Sequence, residues 1–175
     1  MYAITTSGGN VRRAPERLHN PHGVSITPDG TLAYVTDSER DQIVVLKTSD
    51  LRTVATIPVG RTPWNTAFGA DGSTAYVTNA NDDTVSVIAT ASQTVTNSIP
   101  LGSGTTTDPS GTTKGTMFPQ PNHQPTAIAL SPNGKNVWVG CNTSSSLAVI
   151  STASKSVIDS TDIGLGFDPT GIAFA

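Results

Sequence analysis

Three observations predict an all-β chain. A unit of four short strands returns along the sequence, apolar and polar residues alternate within those strands, and hydroxyl side chains with Gly and Pro stand where helix formers would be needed. Thr and Ser (27 and 18) fill 45 of the 175 positions, beside 16 Gly and 12 Pro, a composition that favours strands and tight turns over helices. With 35% hydrophobic and 13% charged residues the chain lies outside the charge-rich disordered class, and its length is enough to bury one core without staples.

The repeat is read in order along the chain. Its first strand opens at Pro21-His22-Gly23-Val24-Ser25-Ile26, returns at Pro63-Trp64-Asn65-Thr66-Ala67-Phe68 and again at Pro125-Thr126-Ala127-Ile128-Ala129-Leu130, and begins a fourth time at Pro169. Asp29-Gly30, Asp71-Gly72 and Asn133-Gly134 then mark turns, because Gly supplies the positive φ that a tight turn needs. Second strands follow at 33–37, 75–79 and 137–142, third strands at 42–47, 84–89 and 146–151, and fourth strands at 53–58, 94–100 and 156–161. The prolines are spaced by 42, 62 and 44 residues, so the middle unit carries an insertion of about 20 residues. Four strands in roughly 40 to 45 residues is the arithmetic of a propeller blade. Tyr2 to Val11 aligns with Ala148 to Val157, so the chain opens on the third strand of a blade. The expected fold is an all-β propeller of four-stranded antiparallel blades, about three full and partial at each end, part of a seven-bladed ring. The blades fall at 1–20 (end of one), 21–62, 63–124, 125–167 and 168–175 (a first strand).

Tyr34-Val35-Thr36-Asp37 and Tyr76-Val77-Thr78-Asn79, each after a turn of the Ser/Thr-Pro-Asp-Gly kind, resemble the YVTN-type β-propeller repeats. The resemblance extends over nearly the whole chain and implies architecture more than activity. Similar propellers serve in surface-layer and cell-surface proteins, in lactonase-like enzymes and in haem-binding nitrite reductases, so it implies an extracytoplasmic or cell-surface setting. Met1 to Asn10 has no apolar stretch of signal-peptide length.

In a blade, the loops entering the first strand and those leaving the second emerge on one face. That face should gather His22, Arg61, Trp64, Asn65, Asn79, His123 and Asn142 as candidate ligand-binding residues, with Phe167 and Asp168 entering the last strand. Trp64 stands where His22 and Thr126 stand in the other repeats, so blade packing does not require an indole there, and recognition is the alternative reason. His22 and His123 could serve as metal or haem ligands or as a general base, but two imidazoles from blades one and three are too few for a metal site. Asp37, Asp41, Asp82 and Asp83 do not match a calcium loop and read as turn residues. No phosphate loop, nucleophile elbow or metalloprotease motif occurs, and no catalytic residue is expected. Cys141 reads as a buried, inert thiol, and Tyr34, Tyr76 and Trp138 as packing between blades.

The expected function is therefore a non-catalytic scaffold presenting one loop face to a protein, glycan or small ligand; a lactonase-like or haem- or metal-binding propeller using the same face is the alternative. No cofactor is expected. A net charge of −3 offers nothing to a phosphate backbone, and the longest aliphatic run, Ile43 to Leu46, is far too short to span a membrane. The insertion, Gly102 to Gln124 (102–124), reads as a loop with Met117 and Phe118 as anchors, not as extra strands. First strands are expected to be the most buried, and an open arc implies a homodimer or a remainder of the ring that closes it.

Overall fold

The computed structural model describes residues 2–4, 11–13, 18–102, 105–107, 113–116, 123–162 and 169–174. Met117, Phe118, Phe167 and Asp168 lie outside them. Among the described residues every regular element is a strand. The first sheet is the hairpin β1 (Tyr2–Ile4) and β2 (Val11–Arg13). Blade one contains β3 (Pro21–Ile26), β4 (Leu32–Asp37), β5 (Gln42–Lys47) and β6 (Thr53–Pro58). Blade two contains β7 (Pro63–Phe68), β8 (Thr74–Asn79), β9 (Thr84–Ala89) and β10 (Thr94–Pro100). A hairpin of β11 (Thr105–Thr107) and β12 (Thr113–Thr116) follows. Blade three contains β13 (Pro125–Leu130), β14 (Asn136–Cys141), β15 (Ser146–Ser151) and β16 (Ser156–Asp162). Each blade is an antiparallel sheet in simple chain order, and no described helix is long and apolar enough to cross a membrane.

The blades share one backbone because the same positions adopt the left-handed conformation in each. The residue before the opening proline (Asn20, Thr62, Gln124) has positive φ, as do the end of the turn before the third strand (Asp41, Asp83, Ser145) and the turn before the fourth (Leu51, Gln93, Lys155). Gly30, Gly72 and Gly134 complete the set at the Asp-Gly and Asn-Gly turns. Those turns are held alike: Asp29, Asp71 and Asn133 accept the backbone N–H two residues on, and Thr48, Thr90 and Thr152 donate to the carbonyls of Gly30, Gly72 and Gly134.

Apolar faces of neighbouring blades make the core. Tyr34, Ile43, Val45 and Ile57 of blade one meet Ala75, Val77 and Ile88 of blade two, and Tyr76, Val85, Val87 and Ile99 of blade two meet Val137, Val139, Ala148 and Ile150 of blade three. β3, β7 and β13 lie side by side, which puts the first strand of every blade at the axis.

Three expectations are corrected here. The second and third strands, not the first, are the most buried, because they are sandwiched by apolar faces while the inner strands border the axis; Val24 and Ile26 of β3 are 56% and 50% exposed. The insertion is not wholly loop: its β-branched threonines at Thr105–Thr107 and Thr113–Thr116 pair as β11 and β12. Residues 169–174 do not form a strand, since no described neighbour offers them a ladder, although Pro169 lies against blade three, its carbonyl accepting the Thr126 hydroxyl at 3.1 Å.

Candidate functional site

At the start of each inner strand two residues oppose one on the second strand, a bulge that breaks the ladder between Pro21 and Val24 in blade one and between Pro63 and Thr66 in blade two. The lone opposing residue is the threonine of the Tyr-Val-Thr signature. Its side chain replaces the interrupted ladder: the Thr36 hydroxyl accepts from the Gly23 N–H at 2.7 Å and donates to the Trp64 carbonyl of the next blade at 3.1 Å. In blade two the Thr78 hydroxyl accepts from the Asn65 N–H at 3.1 Å. Blade three has Gly140 at this position, where Pro169 packs so closely that a Cβ would lie 3.1 Å from it.

The bulge aims His22 and Trp64 at each other across the junction of blades one and two. Their rings stack with centroids 3.7 Å apart and planes 16° from parallel. Gly23 makes this approach possible, because a Cβ there would sit 2.5 Å from both the Trp64 carbonyl and Asn65 Oδ1. His22 is exposed and Trp64 half-buried. Partial burial lowers the pKa of His22, which favours the neutral imidazole in the stack.

The other predicted residues are not brought to this pair. The Arg61 guanidinium bonds Asp82 and donates to the Asn81 carbonyl at 2.9 Å, clamping its own blade's turn. Asn65 donates from its side chain to the Thr126 carbonyl at 2.9 Å and so ties blade two to blade three. Asn79 is buried, with its amide donating to Thr84 and Ser86. Asn142 is half-buried and its backbone pairs with Gln124. His123 does not lie open on the loop face: it is 1% exposed, its backbone N–H donates to Asp83 Oδ1 at 2.8 Å, and burial lowers its pKa against the pull of Asp83. His22 and His123 thus occupy different environments.

The acidic residues hold loops. Asp37 accepts from the His19 N–H, Asp41 from the Thr62 N–H, and Asp83 from the N–H groups of His123 and Gln124. Among the described residues no three His, Cys, Asp or Glu side chains gather into a metal-binding group. Cys141 is buried and its thiol is pushed up to about 12 by burial. Sequence reasoning missed Thr36 and Gly23 as the residues that set the His22–Trp64 geometry. The recurrence of Thr at one blade position was the available signal.

The family model described as a seven-bladed β-propeller lactonase matches residues 2–163. No curated protein matches the chain. Among solved structures, hydrazine synthase of Kuenenia stuttgartiensis superposes with a TM-score of 0.71 at 20% identity, over 95% of this chain and 41% of that one. Virginiamycin B lyase from Staphylococcus aureus gives 0.72 at 14% identity, over 95% of this chain and 50% of that one. A functionally unknown protein from Desulfotomaculum acetoxidans gives 0.67 at 22%, over 98% and 52%. The chain thus spans about half or less of each of these proteins, and at such identities the likeness is one of fold.

Proposed function

The chain belongs to the seven-bladed β-propeller lactonase family, and from that premise we propose that it is a propeller module that binds a ligand at the axis end of its loop face, with the His22–Trp64 stack as the anchor. The observation that carries this reading is the pair itself: two ring side chains from different blades, stacked and accessible, at a position where the third repeat has only Thr126. An aromatic held in place before binding presents apolar area at little entropic cost. Arg61, Asn65, Asn79, His123 and Asn142 then serve as the frame, since each makes at least one bond within or between blades. The ligand is a protein, glycan or small molecule that offers a flat face to the stack, and no catalytic step is required.

A second reading is favoured by the family match: hydrolysis of a lactone at the same place, with neutral His22 as the base that activates water. One experiment separates the two. A library of aromatic, sugar-ring and lactone fragments is titrated while Trp64 fluorescence is followed in a Trp138→Phe background, with acid release recorded in parallel. Fragments that shift Trp64 emission without acid release, and no longer bind Trp64→Ala, support binding. Enzyme-dependent acid release that is lost in His22→Ala supports the lactonase reading. If no fragment responds and Trp64→Ala loses several kcal/mol as large-to-small core changes do, Trp64 is structural and both readings fail.

A further inference from the structure

On the opposite face, between blades two and three, lies a cleft of about 300 Å³. The repeat shows why it is open there. At the equivalent junction of blades one and two, Phe68 packs edge-on against Tyr34, and Pro28 fills the space beside Gly72, its ring 3.3 Å from where a Cβ would be. Phe174 packs edge-on against Trp138 in the same way beyond blade three. Between blades two and three the corresponding positions carry Leu130 against Tyr76, and Ala70 beside Gly134. Gly69 moreover stands where Thr27 and Ser131 place a hydroxyl in the other blades. Three reductions in size coincide at one junction, and the cleft is the volume they leave.

Its polar lining comes from Asp71, Ser73, Thr74, Tyr76 and Thr152. The Asp71 carboxyl is held below its usual range, first by the Ser73 backbone N–H, at 3.0 Å from its Oδ1, and then by the Ser73 hydroxyl. The Tyr76 phenol is kept protonated by burial and, second, by the charge of Asp71. Thr152 is fixed in place by donating to the Gly134 carbonyl at 3.0 Å. The wall therefore combines one charged acceptor with four hydroxyl oxygens: those of Ser73 and Thr152 give their protons to Asp71 and to the Gly134 carbonyl and are left to accept, while those of Thr74 and Tyr76 can donate or accept. Among the described residues no Lys, Arg or His lines it, so an anion would find no counter-charge there, and one carboxylate is too little for a divalent cation. A volume at the low end of small-molecule sites suits one ring.

We propose that the cleft between blades two and three is a binding site for a neutral polyol of one sugar ring, free or as part of a glycan. It is separate from the loop-face site and independent of it.

The test titrates the intact, isotope-labelled protein with D-glucose and D-galactose, as free monosaccharides and as linear trisaccharides, and follows the amides of Gly69, Ser73 and Gly134 by NMR. Saturable shifts in the millimolar range are expected for at least one sugar. The double variant Gly69→Thr with Ala70→Pro writes blade one's own residues into the cleft. Because Ala70 N–H makes no backbone bond and Gly69 has an ordinary φ, the variant should melt no lower than the wild type while losing at least tenfold in affinity. Trp64→Ala should leave this binding unchanged. A trisaccharide that binds tenfold tighter than its monosaccharide assigns a glycan chain as the source, and equal affinity assigns the free sugar; both uphold the site. No saturable shift with any sugar up to tens of millimolar, or equal binding by the double variant, overturns it.

Discussion

Replacing Thr36 by Val should unfasten the first two blades at the point where the ring pair is set. The Thr36 hydroxyl is the acceptor for the Gly23 N–H at 2.7 Å and the donor to the Trp64 carbonyl at 3.1 Å, and both Thr36 and Gly23 are buried. Val preserves the shape but leaves the Gly23 N–H without a partner, at about 1 to 3 kcal/mol, and deletes a second bond of about 1 kcal/mol. The added apolar surface offsets less than about 1 kcal/mol. The net expectation is a loss of about 2 to 3 kcal/mol, or roughly 5 to 10 °C in the melting temperature of a domain this size. Thr36→Ser keeps the hydroxyl and should cost about 1 kcal/mol or less. Urea denaturation followed by circular dichroism measures both, and Trp64 fluorescence in the folded state should change only in the Val variant. A Val variant within about 0.5 kcal/mol of the wild type, or a Ser variant equally damaged, would refute the bulge argument.

Gly23→Ala should cost about 2 to 3 kcal/mol in chemical denaturation, since its Cβ would meet the Trp64 carbonyl at 2.5 Å and backbone cannot swing aside as a flexible side chain can. Trp64→Ala, by contrast, should lose about 1.5 kcal/mol or less, because the indole is only half-buried and its stack is worth about 0.5 to 1.5 kcal/mol. The folded-state pKa of His123 lies below its usual 6.5, so the unfolded chain takes up the proton first: stability is fully present above about pH 6.5 and falls as the pH drops from there through the folded value. His123→Gln should flatten that slope in denaturation midpoints measured from about pH 7.5 to about pH 5. Cys141, buried and with its thiol pushed up to about 12, should resist an aromatic disulfide reagent until the protein unfolds; labelling of the native protein at the rate of a free thiol would contradict its placement.

The strands of the three blades were legible because their signals are local. The apolar run within Gln42–Lys47, the alternation at the start of Thr84–Ala89, a glycine at Gly30 or Gly72, and a proline at each opening act over a few residues, and a repeat shows signals of this kind three times. Those signals determined the architecture, the order of the strands and the packing role of Tyr34 and Tyr76. Burial of the inner strands was not local in this sense. Val24 and Ile26 look like core residues in sequence, yet they are exposed because their environment is set by what lies across the axis and on the far side of β3. The site was legible only in part for the same reason. Trp64 stood out as an indole in a position that other repeats fill differently, but its partner His22, the bridging role of Thr36 and the diversion of Arg61 to Asp82 arise only when blade is laid against blade. The cleft of the second junction is the clearest case: the adjacent pair Gly69 and Ala70 and the leucine at Leu130 are ordinary residues one by one, and the pair lies far from the leucine along the chain. Only packing makes them neighbours, and only there do their small volumes add up to a space.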